Sequence, residues 1–213
     1  MAENIFLFVP NLIGYARVVL AIISFYYMAT DWSVAVVCYV ISGLLDALDG
    51  HAARYLDQAT KFGAILDQLT DRCGTMCLLV TLSNFYPRYM FWFQLSMTID
   101  VACHWIYLHS SLLQGKTSHK LIDLGANPIM KIYYTSRPVL FFMCLGNEAF
   151  FASLYAMHFA EGPVIAGIGL FRLICYASAP VMAVKTAISL VHGYVACCNI
   201  GSMDVQEREN RKK

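Results

Sequence analysis

Apolar residues in this chain come in long runs separated by short polar stretches. Six of the runs are long enough to cross a bilayer as helices. A hydrocarbon core of about 30 Å needs about 20 helical residues. The first run spans about Asn11 to Ala29, after a short apolar lead from Ile5 to Val9. The second spans Ser33 to Tyr55, the third Lys61 to Thr81 and the fourth Tyr89 to Ser110. A polar loop covers Ser111 to Arg137. The fifth run spans Pro138 to Phe159 and the sixth Ile168 to Cys198. In lipid every backbone group must pair within its own segment, so such runs are helices. The predicted fold is therefore all-α, a polytopic membrane protein with about six transmembrane helices. It forms one membrane domain over residues 1–203, followed by a charged cytosolic tail over 204–213 that is expected to fray. No internal repeat is visible.

Composition agrees with this class. The 213 residues are 59% hydrophobic and 14% charged, against about 25% charged in soluble domains. The net charge of +1 says nothing about nucleic acid, and with no basic domain no nucleic-acid partner is expected. The start, Met-Ala-Glu-Asn, carries no basic segment, so the first apolar run is expected to stay in the mature protein. Basic residues set the orientation. With a cytosolic N-terminus, Arg54, Lys61, Lys116, Lys120, Lys131, Arg137, Arg208, Arg211, Lys212 and Lys213 all fall at cytosolic helix ends. Among the opposite loops only Arg88 is basic. Both termini are therefore expected in the cytosol. The eight cysteines contain no C-x-x-C pair and mostly sit in apolar runs, where Cys acts as a small hydrophobe. The pair Cys197-Cys198 also fits palmitoylation.

The second and third runs break the apolar rule. Asp46, Asp49, Arg54, Asp57, Lys61, Asp67, Asp71 and Arg72 crowd the cytosolic ends of two adjacent helices. A carboxylate at membrane depth costs a few kcal/mol, so four of them need a cavity holding water or metal. At 100° per residue, Asp46, Asp49, Gly50 and Ala53 share one helix stripe. Gly63, Asp67 and Asp71 form a second, at i, i+4, i+8. The short link from Leu56 to Thr60 makes the helices antiparallel neighbours, so the stripes can meet. Converging carboxylates require a cation, and oxygen donors without Cys or His favour Mg²⁺ or Mn²⁺. Two ions about 4 Å apart can share such a set. Gly50, Ala53 and Gly63 remove bulk beside the carboxylates. This leaves room for a phosphate and base against the backbone or allows close helix packing. Arg54 offers a fork of donors to a diphosphate, and Thr60 a hydroxyl.

The segment matches D-x2-D-G-x2-A-R-x8-G-x3-D-x3-D at all eight specified positions, Asp46, Asp49, Gly50, Ala53, Arg54, Gly63, Asp67 and Asp71. In this it resembles the CDP-alcohol phosphatidyltransferases. The resemblance implies transfer of a phosphoryl-containing group from a CDP-linked donor to an alcohol, with release of CMP. It implies Asp46, Asp49, Asp67 and Asp71 as metal ligands, with Asp71 also the general base. Gly50, Arg54 and Thr60 would contact the CDP part, beside Ala53 and Gly63.

The acceptor rests on further resemblance. Asp100 to Trp105, His109 to Lys120, Asn127-Pro128, Lys131 to Pro138 and Pro10 to Arg17 look like the inositol-using branch of that family. Donor and acceptor would then be CDP-diacylglycerol and myo-inositol. The resemblance also implies a homodimer in the endoplasmic reticulum membrane. Asp100 and His104 lie at i, i+4 and face one way, and Arg137 begins the fifth run. All three are candidates for the acceptor pocket. His109, His119 and Lys120 are weaker candidates at a cytosolic helix end. Arg17 is read as a lipid-phosphate contact or as snorkelling. Arg172 and Lys185 are read as snorkelling or paired. Other acceptors are alternatives: glycerol phosphate, serine, choline or ethanolamine. A small cation transporter fits less well, because the acids cluster at one face instead of lining a path.

Overall fold

The computed structural model describes residues 4–114 and 136–212. Six long helices account for most of the described chain. They are α1 (Val9–Tyr27), α2 (Trp32–Tyr55), α3 (Lys61–Phe85), α4 (Met90–Gln114), α5 (Arg137–Phe159) and α6 (Leu170–Arg211). Four of them, α1, α2, α5 from Pro138, and α6, are long and apolar enough to cross a membrane. The other two have the length, but α3 carries Lys61, Asp67, Asp71 and Arg72, and α4 is interrupted by Gln94, Asp100 and His104. Large apolar side chains such as Leu44, Leu48, Phe141, Phe142 and Tyr176 point outward. A helix that faces lipid presents its apolar side to the outside.

The helix starts follow local chemistry. Pro10 stands in the first turn of α1, where its missing N–H costs nothing. Asp31 caps α2, its Oδ1 accepting from the amides of Ser33 and Val34 at 3.1 and 3.3 Å. Thr60 caps α3, its Oγ1 accepting from the Gly63 amide at 2.9 Å. Such caps satisfy amides that have no partner within the helix. Between α2 and α3 the chain turns through Asp57, at φ 53°. Asp is one of the few residues that tolerate this conformation.

By internal contacts the chain divides into two compact units. The first comprises Met1–Phe93 and Phe151–Phe171. Within it α1 packs closely on α2. The Ser24 hydroxyl donates to the Ala35 carbonyl at 2.8 Å, and the Ser42 hydroxyl to the Arg17 carbonyl at 3.2 Å. Small polar residues at such an interface let two backbones approach and bond across it. Gly14 faces Leu66 of α3. At the far end of this unit the Tyr155 hydroxyl donates to the Met28 carbonyl at 2.8 Å. Phe85 stacks on His158 there, with centroids 4.0 Å apart.

The second unit comprises Gln94–Phe150 and Arg172–Lys213. Its core includes Met143 and Ile188, flanked by Val139 and Val181. Gly146 lies against Val181, and Gly193 against Cys103. His192 stacks on Tyr107 at 5.5 Å.

Two expectations need correction. The tail does not fray: α6 runs unbroken to Arg211. Met203, just before the charged stretch, is buried, and Arg211 pairs with Glu207 one turn back at 3.9 Å. Such i, i+4 pairs support an exposed helix. The start of the sixth run, Ile168–Gly169, is not helical but pairs with Val164–Ile165 in a two-residue hairpin. Its turn places Ala166 and Gly167 at φ 50° and 85°, the positive-φ pattern of tight hairpin turns.

Candidate active site

The two acidic stripes do meet. The residues that join them come from α1 as well as from α2 and α3. Arg17 of α1 reaches between the hairpin helices and touches all four aspartates. Its Nη1 lies 2.7 Å from Asp49 Oδ2 and 2.7 Å from Asp67 Oδ1. Its Nη2 lies 2.6 Å from Asp46 Oδ1 and 2.7 Å from Asp71 Oδ1. Each amino group thus bridges one carboxylate of α2 and one of α3. Asp46 is matched with Asp71, and Asp49 with Asp67, as an antiparallel register requires. Neither lipid contact nor snorkelling describes Arg17, whose side chain is 2% exposed. The sequence offers one hint of this: a lone arginine within an apolar run is expensive unless it is paired.

Burial is uneven across the cluster. The side chain of Asp49 is 11% exposed, whereas Asp46, Asp67 and Asp71 are 42%, 45% and 40% exposed. The guanidinium is therefore the closed floor of a site that opens on its other side. Asp46, Asp49 and Asp67 each present one carboxylate oxygen, all within 4.8 Å of one another. Among the described residues this is an all-oxygen donor set that already surrounds one cation. Four carboxylates against the guanidiniums of Arg17 and of Arg72, 3.9 Å from Asp71 Oδ2, leave a surplus of negative charge. Such a site fits a hard divalent ion.

The remaining motif residues line the same hairpin. Arg54 is exposed, and its guanidinium folds back over the bare face of Gly50. A β-carbon there would lie 3.5 Å from Arg54 Nη1. Ala53 is half-buried one turn above Asp49. Thr60 is engaged as the cap of α3. The space at Gly63 is filled by protein, because a β-carbon would lie 2.6 Å from Asn11 Oδ1 and 3.2 Å from Thr60 Oγ1. Close packing of α1 on α3 accounts for this glycine.

The acceptor candidates lie in the second unit. His104 Nδ1 is 2.7 Å from the Asp100 carbonyl and 3.4 Å from Asp100 Oδ1, so the i, i+4 pair forms. Arg137 opens α5, but its side chain lies outside the described residues, as do His119 and Lys120. His109 is exposed in the last turns of α4. Lys185 is buried in α6, so it does not snorkel.

The sequence pattern that defines CDP-alcohol phosphatidyltransferases matches residues 7–121, which contain Arg17 and the whole acidic hairpin. The chain belongs to that family. It is 56% identical over 210 residues to the human protein named CDP-diacylglycerol–inositol 3-phosphatidyltransferase, covering 99% of each chain. The Drosophila melanogaster protein of that name is 53% identical over 211 residues, covering 99% of this chain and 92% of the relative. The Schizosaccharomyces pombe one is 40% identical over 229 residues, covering 99% and 95%. The acidic hairpin is thus the motif region of a CDP-alcohol phosphatidyltransferase, and α1 supplies the guanidinium that joins its four aspartates.

Proposed function

We propose that this chain transfers the phosphatidyl group from CDP-diacylglycerol to myo-inositol, forming phosphatidylinositol and releasing CMP. The observation that carries the reading is the convergence of Asp46, Asp49, Asp67 and Asp71, at the family's spacing, on a single cation. The near full-length similarity to inositol 3-phosphatidyltransferases supports the choice of acceptor.

In this reading Asp46, Asp49, Asp67 and Asp71 hold Mg²⁺ or Mn²⁺. Ions held by these carboxylates would supply charge neutralisation for the donor diphosphate and for departing CMP. Arg54 forks onto the diphosphate, and Gly50, Ala53 and Thr60 border the CDP moiety. Asp71 takes the proton of the acceptor hydroxyl as its oxygen bonds to the phosphatidyl phosphorus and the bond from that phosphorus to CMP breaks. Asp100, His104 and Arg137 are assigned to the polyol, whose ring of hydroxyls needs several donors and acceptors. The acyl chains remain in the bilayer while the headgroup reacts at the cytosolic helix ends. The protein then spans the endoplasmic reticulum membrane six times as a homodimer, with both termini and the site facing the cytosol.

The deciding experiment is acceptor-dependent release of CMP from CDP-diacylglycerol by the purified protein. Stimulation by myo-inositol is expected. Stimulation instead by serine, glycerol phosphate, choline or ethanolamine would reassign the acceptor within the family.

A further inference from the structure

We propose that Arg17 is the built-in counter-ion and positioning residue of the metal site. It remains beneath the four carboxylates, holds them converged before any metal binds, and sets the charge that the metal and the donor diphosphate meet. This rests on the reading of the aspartates as metal ligands given above.

The geometry carries the argument. The guanidinium is a planar fork, and here each prong holds one carboxylate of α2 and one of α3 at 2.6–2.7 Å. Arg17 therefore cross-links the hairpin twice at the depth where its like charges would otherwise push it apart. Repulsion between carboxylates is strong away from water, and the turn from Leu56 to Thr60 alone does not oppose it at the level of Asp49 and Asp67. Arg17 is itself anchored, since its carbonyl accepts from Ser42 of α2 at 3.2 Å.

Its place in the site matters equally. Arg17 is 2% exposed, while three of its four partners are 40% exposed or more. A cation arriving from the open side meets the carboxylates without having to expel the guanidinium. Charge arithmetic adds a second role. Four carboxylates with the guanidiniums of Arg17 and of Arg72, which lies 3.9 Å from Asp71 Oδ2, carry −2. Two divalent ions would bring this to +2, whereas without Arg17 the loaded site would carry +1. The surplus positive charge favours an anionic diphosphate and opposes the metal. Lysine is a compact ammonium that cannot bridge four oxygens in pairs, so it would keep the charge and lose the cross-link.

The test uses the full chain in detergent micelles, with Mn²⁺ as the probe. Mn²⁺ binding is read from the electron paramagnetic resonance of free Mn²⁺, and stability from thermal unfolding with and without the ion. Arg17→Met is expected to lower the metal-free melting temperature by several degrees. Saturating Mn²⁺ should recover most of that loss, and the Mn²⁺ dissociation constant should fall about tenfold because a neighbouring cation is gone. The KM for CDP-diacylglycerol should rise several-fold. Arg17→Lys should keep Mn²⁺ affinity within about threefold of wild type while still losing metal-free stability.

Wild-type stability and Mn²⁺ affinity in Arg17→Met would overturn the proposal. So would a loss of stability that Mn²⁺ does not recover together with weaker Mn²⁺ binding, since that marks a packing residue. If Arg17→Met yields no folded protein even with Mn²⁺, the lysine variant decides. A tenfold or greater loss of Mn²⁺ affinity there overturns the proposal, and the behaviour expected above supports it. Wild-type protein that binds no Mn²⁺ would instead overturn the metal reading itself, which separates the two failures.

Discussion

The carboxamide oxygen of Asn11 lies against the bare face of Gly63, 2.6 Å from where a β-carbon on that residue would stand. Asn11 is almost wholly buried, and its Nδ2 donates to the Ile5 carbonyl at 2.6 Å. A carbonyl can only accept, so the amide faces it with Nδ2 and turns Oδ1 toward Gly63. The contact fixes α1 to the start of α3, one turn before Asp67 and a turn and a half before Arg17.

A methyl group at position 63 must therefore displace Asn11 or shift α3. Gly63→Ala is expected to destabilise the protein by about 1–3 kcal/mol, the usual cost of overpacking. Asn11→Ala in the same chain should return part of that loss, because residues in contact do not act additively. Thermal unfolding of the two single variants and the double variant measures this. Additive losses would show that Gly63 and Asn11 do not meet.

Asp71 stands at the open side of the cluster with one oxygen on Arg17. Asp71→Asn keeps the shape and removes the charge, so a metal ligand and the proton acceptor are lost together. Turnover, followed as CMP release, is expected to fall by about 10³-fold or more, above the lower end of the 10²–10⁴ that a lone general base contributes. The melting temperature should stay within a few degrees of wild type. Turnover within tenfold of wild type would remove Asp71 from the chemistry.

Much of this site is readable from the sequence because its exceptions are costly. Four aspartates in apolar helices at spacings of three and four can share a face only if something charged lies between them. Helix geometry and a short turn then place them together, as found. The long apolar runs likewise mark α1 to α5 to within about four residues at their described ends. What the runs do not reveal is which cation sits in the middle. Arg17 is remote in sequence, and its side chain is as consistent with reaching the interface as with reaching inward. Only the packing of α1 on α2, through Ser24 and Ser42, decides the direction. The space beside Gly63 is ambiguous for the same reason: a missing side chain does not say what fills the gap. The helical tail and the hairpin at Ala166-Gly167 escape notice because weak i, i+4 pairs and a single positive-φ Ala leave little trace in hydrophobic periodicity.

Removal of divalent ions tests the donor set as a whole. The oxygens of Asp46, Asp49 and Asp67 lie within 4.8 Å of one another, and the guanidiniums of Arg17 and Arg72 do not balance four carboxylates. Exhaustive chelation is expected to abolish CMP release, and Mg²⁺ or Mn²⁺ should restore it. Zn²⁺ should not, since it favours His and Cys ligands. Full turnover in the chelated protein would exclude a metal mechanism.

The last prediction concerns the end of the first unit remote from the acidic site. The Tyr155 hydroxyl donates to the Met28 carbonyl at 2.8 Å, joining α5 to the end of α1 across 127 residues of chain. Both residues are buried there, so no water replaces the bond when it is lost. Tyr155→Phe keeps the ring, which packs beside Phe85 and Phe159, and removes only the donor. Hydrogen bonds between membrane helices are worth about 0.6–2 kcal/mol, so a fall in stability of about 1 kcal/mol is expected in equilibrium unfolding. Turnover should be unchanged, because Met28 lies about three helical turns beyond Arg17 along α1, away from the acidic hairpin. A loss of turnover without loss of stability would show instead that this end of the bundle is coupled to the acidic hairpin through α1.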